Sequence, residues 1–318
     1  MIETNYSKEF EALAQYYEKS GGDVSKLIDK KVVSIIVSGD KIIGRNTLPG
    51  VKVEAEQIEN GVKIFIDIAD GMNIENPIHL CTGYLKPEGT QTVLIDTRVG
   101  KNSKVKFLSH CVFPNGKKFL HRMISNVEVD EGGQLSYEDV HFHSEDGGVI
   151  VEAFYNARLF KNAKYNNVFH LTKTRVGKLK VAMKVDLQES SSAYLESKVY
   201  EKKDDVVEIT EELNLNGSFS SGIAKTIVFS TDNSSAKIIN KAYGNAPYSK
   251  GHIECNEIVK GDGVKVGTIP ELYVINEKAE LTHEASIGRI NLKQLETLMA
   301  KGLSEEEATE LIIRGMLK

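Results

Sequence analysis

Tryptophan is absent from the 318 residues, and the chain holds only three cysteines and six prolines. The cysteines, Cys81, Cys111 and Cys255, form no Cys-x-x-Cys pair, so one chain can build neither a disulfide framework nor a closed four-thiolate metal site. Positive charge is not in excess: the net charge of −5 supplies no basic field for a phosphate backbone, and nucleic acid is not an expected partner. Long hydrophobic runs are missing too, which excludes a helical membrane span. The segment Met1 to Tyr17 carries acids in an amphipathic pattern where a secretion signal needs a basic start and an apolar run, so a cytoplasmic location is expected. No Gly-x-x-x-x-Gly-Lys-Ser/Thr loop occurs, so nucleotide hydrolysis is not expected of this chain. What remains is ordinary for a globular protein, 41% hydrophobic and 27% charged, enough to bury a large core.

The apolar residues that are present change period along the chain. Phe10, Leu13, Ala14 and Tyr17 recur at helical spacing ahead of Gly21-Gly22, which predicts a short helix within residues 1–30. From about Lys31 the text turns to short alternating runs such as Lys63-Ile64-Phe65-Ile66-Asp67-Ile68 and Val149-Ile150-Val151-Glu152-Ala153-Phe154, separated by Gly, Asn, Asp and Ser. Almost no helical stretch interrupts these strands before Gly288, which argues against a doubly wound α/β sheet and for a mainly β domain over residues 31–288. Small-residue corners recur at Asn162-Ala163, Ser192-Ala193, Ser220-Ser221, Ser235-Ala236 and Lys278-Ala279, irregularly spaced. A β-helix with rungs of roughly 20 to 30 residues tolerates such irregularity, because each rung touches only its neighbours. Residues 289–318 return to helix: Asn291 caps a segment carrying Leu292, Leu295, Leu298 and Met299, and Ser304 with Glu307 forms a capping box for a second. The apolar residues of this pair, among them Leu303, Leu311 and Ile312, are many for a terminal hairpin and point to a partner contact.

The segment Leu281-Thr282-His283-Glu284-Ala285-Ser286-Ile287-Gly288-Arg289-Ile290, followed by Lys301-Gly302-Leu303-Ser304-Glu305-Glu306-Glu307-Ala308 and Ile312-Ile313-Arg314-Gly315-Met316, resembles the C-terminal signature of the SufB/SufD family of iron–sulfur cluster assembly scaffolds. Upstream, Gly251-His252-Ile253-Glu254-Cys255-Asn256-Glu257 resembles it as well. The resemblance implies a right-handed parallel β-helix between helical ends, a dimer of such chains, and a SufC-type ABC ATPase bound through the terminal helices. It implies a non-catalytic scaffold that holds a transient cluster for recipient proteins, and leaves open a reduced flavin. In the family the position matching Cys255 is cysteine in the SufB type and not in the SufD type, so the chain reads as SufB-like and as a homodimer.

A thiolate is a good iron ligand, and Cys255 is expected to lie among Glu254, Glu257 and His252 in a polar, accessible setting. His283 and Glu284 follow at a spacing that suits neighbouring rungs. Adjacent strand residues point to opposite faces, and Leu281 shares a face with His283, which makes Glu284 the expected outward ligand, His283 a further or supporting one, and Glu254 and Glu257 additional candidates. One competing site stands out: His141-Phe142-His143-Ser144-Glu145 sets two imidazoles and a carboxylate at alternate positions, as a cupin-like or β-helical metal enzyme would. Cys81 and Cys111 follow apolar residues and read as buried structural cysteines. A SufD-like structural subunit without a cluster is the third alternative.

Overall fold

The computed structural model describes residues 8–317 and the backbone of residues 3–4. From Ile78–Gly83 onward, strands alternate between two parallel sheets. One receives Lys104–Phe113, Gln134–His143, Lys164–Leu171, Ser192–Glu201, Ser221–Thr231, Lys250–Lys260 and Glu280–Arg289. The other receives Glu88–Val99, Lys118–Val129, Val149–Leu159, Gly177–Leu187, Val206–Leu215, Ser235–Gly244 and Lys265–Val274. The expected parallel β-helix is present, a solenoid of about eight turns. Its ladders run without a slip, so Gln134 pairs with Lys104 and with Lys164, and residues 28 to 30 positions apart stack in successive rungs. Parallel pairing also removes the antiparallel barrel that a cupin-like site would need.

The irregular corners of the sequence resolve into a strict repeat. Asn102, Gly132, Asn162, Ser190, Phe219 and Tyr248 each adopt positive φ at the same corner of successive rungs. The residue after each is small and buried: Ser103, Gly133, Ala163, Ser191, Ser220 and Ser249. The left-handed turn tolerates several residue types, whereas the tight inner position admits only small ones, so the conserved feature is size and not identity. Ser235-Ala236 belongs to the start of a strand in the second sheet, and Ser192-Ala193 lies one position past the corner. Mixing these with the true corners blurred the period.

Each strand alternates inward and outward residues, and the inner faces of both sheets close one core, with Val105, Leu135, Tyr165 and Ala193 forming one of its stacks. Outward positions carry rung-to-rung ion pairs, Lys184–Glu212 at 3.0 Å and Lys241–Glu271 at 3.1 Å among them, exposed enough that each contributes less than about 1 kcal/mol. The two ends differ. At the N-terminal end, antiparallel hairpins Ser34–Ser38/Lys41–Asn46 and Val51–Ile58/Gly61–Ile68 close the two sheets. Helix α1 (Lys8–Ser20) and helix α2 (Val24–Ile28) lie beside them, α1 burying Phe10, Leu13 and Tyr17 on Ile36, Cys81 and Val112. At the C-terminal end, Lys265–Val274 and Glu280–Arg289 have no further strand beyond them among the described residues, and Leu272, Val274 and Ile287 stand exposed.

The core is not wholly apolar. Glu211 accepts hydrogen bonds from Ser197 (2.8 Å), Thr226 (3.0 Å) and Asn240 (2.8 Å), and Glu201 accepts one from Ser230. Burial pushes the Glu211 carboxyl up to about 7 and that of Glu201 up to about 8. The folded chain therefore holds these protons where the unfolded chain releases them. The stability they supply is fully present below the ordinary carboxylate range and is lost as pH rises through 7 and 8. Thermal melts should show a falling midpoint between about pH 5 and pH 8.5, with Glu201→Gln flattening the upper part of that decline. An unchanged slope in the variant would remove Glu201 from the account.

Candidate functional site

Strand Lys250–Lys260 turns Ile253, Cys255 and Glu257 inward and leaves His252, Glu254 and Asn256 facing out. Its neighbour toward the open end, Glu280–Arg289, sets His283 opposite Ile253, Glu284 opposite Glu254, Ala285 opposite Cys255 and Ile287 opposite Glu257. Cys255 and Glu257 thus share the inner face in the last full rung, with His283 on the same side one rung further. Cys255 is 1% exposed, which corrects the expectation of an accessible thiol: strand alternation, not the polarity of its sequence neighbours, decides its surroundings.

The inward groups are incompletely satisfied. The Cys255 thiol donates to Asn240 Oδ1 at 3.3 Å, and burial, with Glu257, Glu211 and Glu254 nearby, pushes it up to about 12. Glu257 is 1% exposed, with the Thr268 hydroxyl and its own backbone amide as the polar groups nearest its carboxyl. Burial raises its pKa, the protonated form being the cheaper one in a dry site. His283 keeps a buried Nε2 without a partner, and burial lowers its pKa, favouring the neutral ring whose lone pair can bind a metal. Sulfur, oxygen and nitrogen donors therefore lie on the inner side of the uncapped end of the solenoid, chemically suited to iron. They do not converge on one point; among the described residues the group of three donors lying within 4.8 Å of one another is Cys111, Asp139 and His141.

Glu254 and Glu284 stand outside. Glu254 pairs with Lys225 Nζ at 3.0 Å and accepts from Asn256 at 2.7 Å, while Glu284 is exposed beside it on the terminal strand. Cys255 and Glu284 are therefore on opposite faces within one chain.

The histidine motif is split by the fold. His141 and His143 point into the core, but their strand ends at His143 and Glu145 lies beyond it, exposed. The expected two-histidine, one-glutamate set is corrected accordingly. Asp139 takes the carboxylate position, its Oδ2 lying 3.4 Å from His141 Nε2, and Cys111 from the preceding rung brings its Sγ within 3.7 Å of Asp139 Oδ1. Asp139 was legible as the next alternate residue back from His141. Cys111 was not, since only the ladder register sets it beside His141.

The C-terminal pair comprises α3 (Leu292–Met299), capped by Asn291, and α4 (Glu305–Met316), opened by the expected Ser304/Glu307 capping box. Ile313 and Leu317 pack on Tyr200, Phe229 and Ile258 on the outside of the solenoid, and Lys260 bonds Thr309 at 3.0 Å. No residue of α3 is buried; Leu292 is 71% exposed, and Met299 and Leu311 are uncovered as well. Leu295, Leu298, Leu303 and Ile312 are half-buried between the two helices and the solvent.

Comparison with known proteins adds a family. Residues 88–316 match the model of the SUF system FeS cluster assembly SufBD core domain. An iron–sulfur cluster assembly SufBD family protein of Pyrococcus horikoshii is 52% identical over 316 residues, covering 99% of this chain and 96% of its own. Another, from Methanocaldococcus jannaschii, is 36% identical over 292 residues, 92% of each chain. The iron–sulfur cluster assembly protein SufB of Bacillus subtilis is 36% identical over 70 residues, 22% of this chain and 15% of its own.

Burial predicts thiol reactivity. In the native chain all three cysteines should alkylate slowly at neutral pH. Cys255 should react first, because it lies one strand from an uncapped end, whereas Cys81 is under α1 and Cys111 deep in the solenoid. Timed alkylation with peptide mass mapping reads the order; earlier labelling of Cys81 or Cys111 would contradict it.

Proposed function

Because this chain belongs to the SufBD family of iron–sulfur cluster assembly proteins, we propose that it is a SufB-like scaffold that holds a nascent cluster at the open end of its solenoid. The observation that supports this reading is the placement of Cys255, Glu257 and His283 on the inner side of the last rungs, a thiol, a carboxyl and an imidazole facing one way beside the open end. A carboxylate as deeply buried as that of Glu257 is costly, and a cation is a partner that removes the cost. Iron binding replaces the thiol proton, so retention should strengthen as pH rises.

One chain supplies too few thiolates, and its terminal strands offer unpaired edges flanked by exposed Leu272, Val274 and Ile287. Two copies joined end to end would cover these and bring two Cys255 sites together. In that arrangement Glu284, on the terminal strand, is a carboxylate offered to the junction, and His283 a ligand or its support. Mixed thiolate, carboxylate and imidazole ligation is weaker than four thiolates, which suits a cluster that must be passed on to a recipient. ATP hydrolysis is assigned to a SufC-type partner docking on the uncovered faces of α3 and α4, through Leu292, Met299 and Leu311.

Anaerobic reconstitution with iron and sulfide tests the site. Cys255→Ala should abolish the visible cluster absorption with the fold intact. Glu257→Gln and Glu284→Gln should each reduce retention severalfold, the first through the inner face and the second only where the chain is dimeric. A Cys255→Ala protein that still assembles a full cluster would sink the assignment and leave a SufD-like structural subunit as the better reading. The dock has its own test: a chain ending at Gly288 should lose co-purification with the ATPase while keeping its β circular dichroism, whereas retained binding would place the dock elsewhere.

A further inference from the structure

The cluster formed by Cys111, Asp139 and His141 plays no part in the terminal site; all three are buried, and one donor atom of each lies within 4.8 Å of the others. His143 Nδ1 lies 3.1 Å from the carbonyl of Arg175, which can only accept, so Nδ1 carries the proton. Its Nε2 faces His141 Nδ1 at 3.1 Å, and His141 Nε2 in turn bonds Asp139 Oδ2 at 3.4 Å. That oxygen already accepts from Tyr155 at 2.5 Å. Neither Asp139 nor His141 has solvent to turn to. His121 adds an unspent lone pair. Gln91 donates its amide to the carbonyls of Gly39 and Gly83, which turns its oxygen to His121 Nδ1 at 3.1 Å and leaves His121 Nε2 buried without a partner, ring centroid 5.9 Å from that of His141.

A cation between these groups would take sulfur, oxygen and nitrogen donors at once. We propose that Cys111 Sγ, Asp139 and His141 Nε2 bind one divalent transition-metal ion of the zinc or ferrous type inside the solenoid. Tetrahedral bonds of the usual lengths set ligand atoms about 3.3 to 3.8 Å apart. The separations present are 3.4 Å between His141 and Asp139 and 3.7 Å between Cys111 and Asp139. The surroundings have the form of a supporting shell: His143 orients His141, Tyr155 holds Asp139, and Thr82 donates to Cys111 Sγ at 3.1 Å, a bond that strengthens for a thiolate. The ion joins two neighbouring rungs, Lys104–Phe113 and Gln134–His143. Because the site is closed, the metal enters as the chain folds and acts as a structural staple.

The full-length Cys255→Ala chain separates this ion from anything held at the terminal site. Unfolded in chelator and refolded with Co²⁺, it should take up one equivalent and show the thiolate-to-cobalt charge-transfer band of a tetrahedral site. Refolding without metal should lower its thermal midpoint. Adding Cys111→Ser should remove the charge-transfer band, Asp139→Asn should weaken uptake at least tenfold, and adding Cys81→Ser should change neither. The proposal is overturned if the refolded chain binds no Co²⁺, which would make Asp139 and His141 a metal-free ion pair, or if the band survives Cys111→Ser. Should the variants fail to fold, the band in the chain carrying both Cys255→Ala and Cys81→Ser decides, since Cys111 is then the remaining thiol.

Discussion

Everything in this molecule depends on the rung-to-rung register of its two parallel sheets. A single rung cannot bury its own inner face; it does so only between the rungs before and after it, and the uninterrupted ladders keep each inward position stacked on its counterpart. A slip of one residue would turn the inner set outward and expose it. The small buried residue at each corner enforces this, because the chain must turn in the same place every rung for the stacks to stay aligned.

That constraint also explains why the ends matter. The N-terminal end is closed by two hairpins and α1, so its last strands have partners and its apolar face is covered. The C-terminal end repeats the rung pattern but has nothing beyond it among the described residues, so inward positions of the last strands meet solvent. Chemistry at a β-solenoid of this kind is easiest to place at such an end, where ligands can be inward, preorganised and still one strand from a partner surface. Cys255, Glu257 and His283 occupy that position; Cys111, Asp139 and His141 occupy the opposite situation, sealed several rungs inside, which suits permanence and not exchange.

The interior polar groups form two centres. Around Glu211 the donors and acceptors match, with three side chains serving one carboxylate. Around Asp139 a thiol, a carboxylate and an imidazole crowd together with the unpartnered His121 Nε2 nearby, which is the donor set a cation would use.

Much of this was legible in the sequence, and the physical reason for each limit is definite. Period-two alternation announced strands, the return of helical spacing after Gly288 announced α3 and α4, and Asn291, Ser304 and Glu307 marked the helix starts, because caps depend on contacts within one turn. Alternation also said that Glu284 and His283 face opposite ways, and Leu281 on the face of His283 put Glu284 outside, as the fold has it; that Cys255 faces in was not legible, because it depends on which side the second sheet closes. The motif His141-Phe142-His143 was visible, yet its partners were not. Glu145 fell outside because the strand stops at His143, and Cys111 joined because rungs 30 residues long set it beside His141. Local sequence determined the elements, their caps and the relative facing of neighbours; the length of a rung and the position of the opposing sheet, both properties of the whole chain, decided which side chains meet.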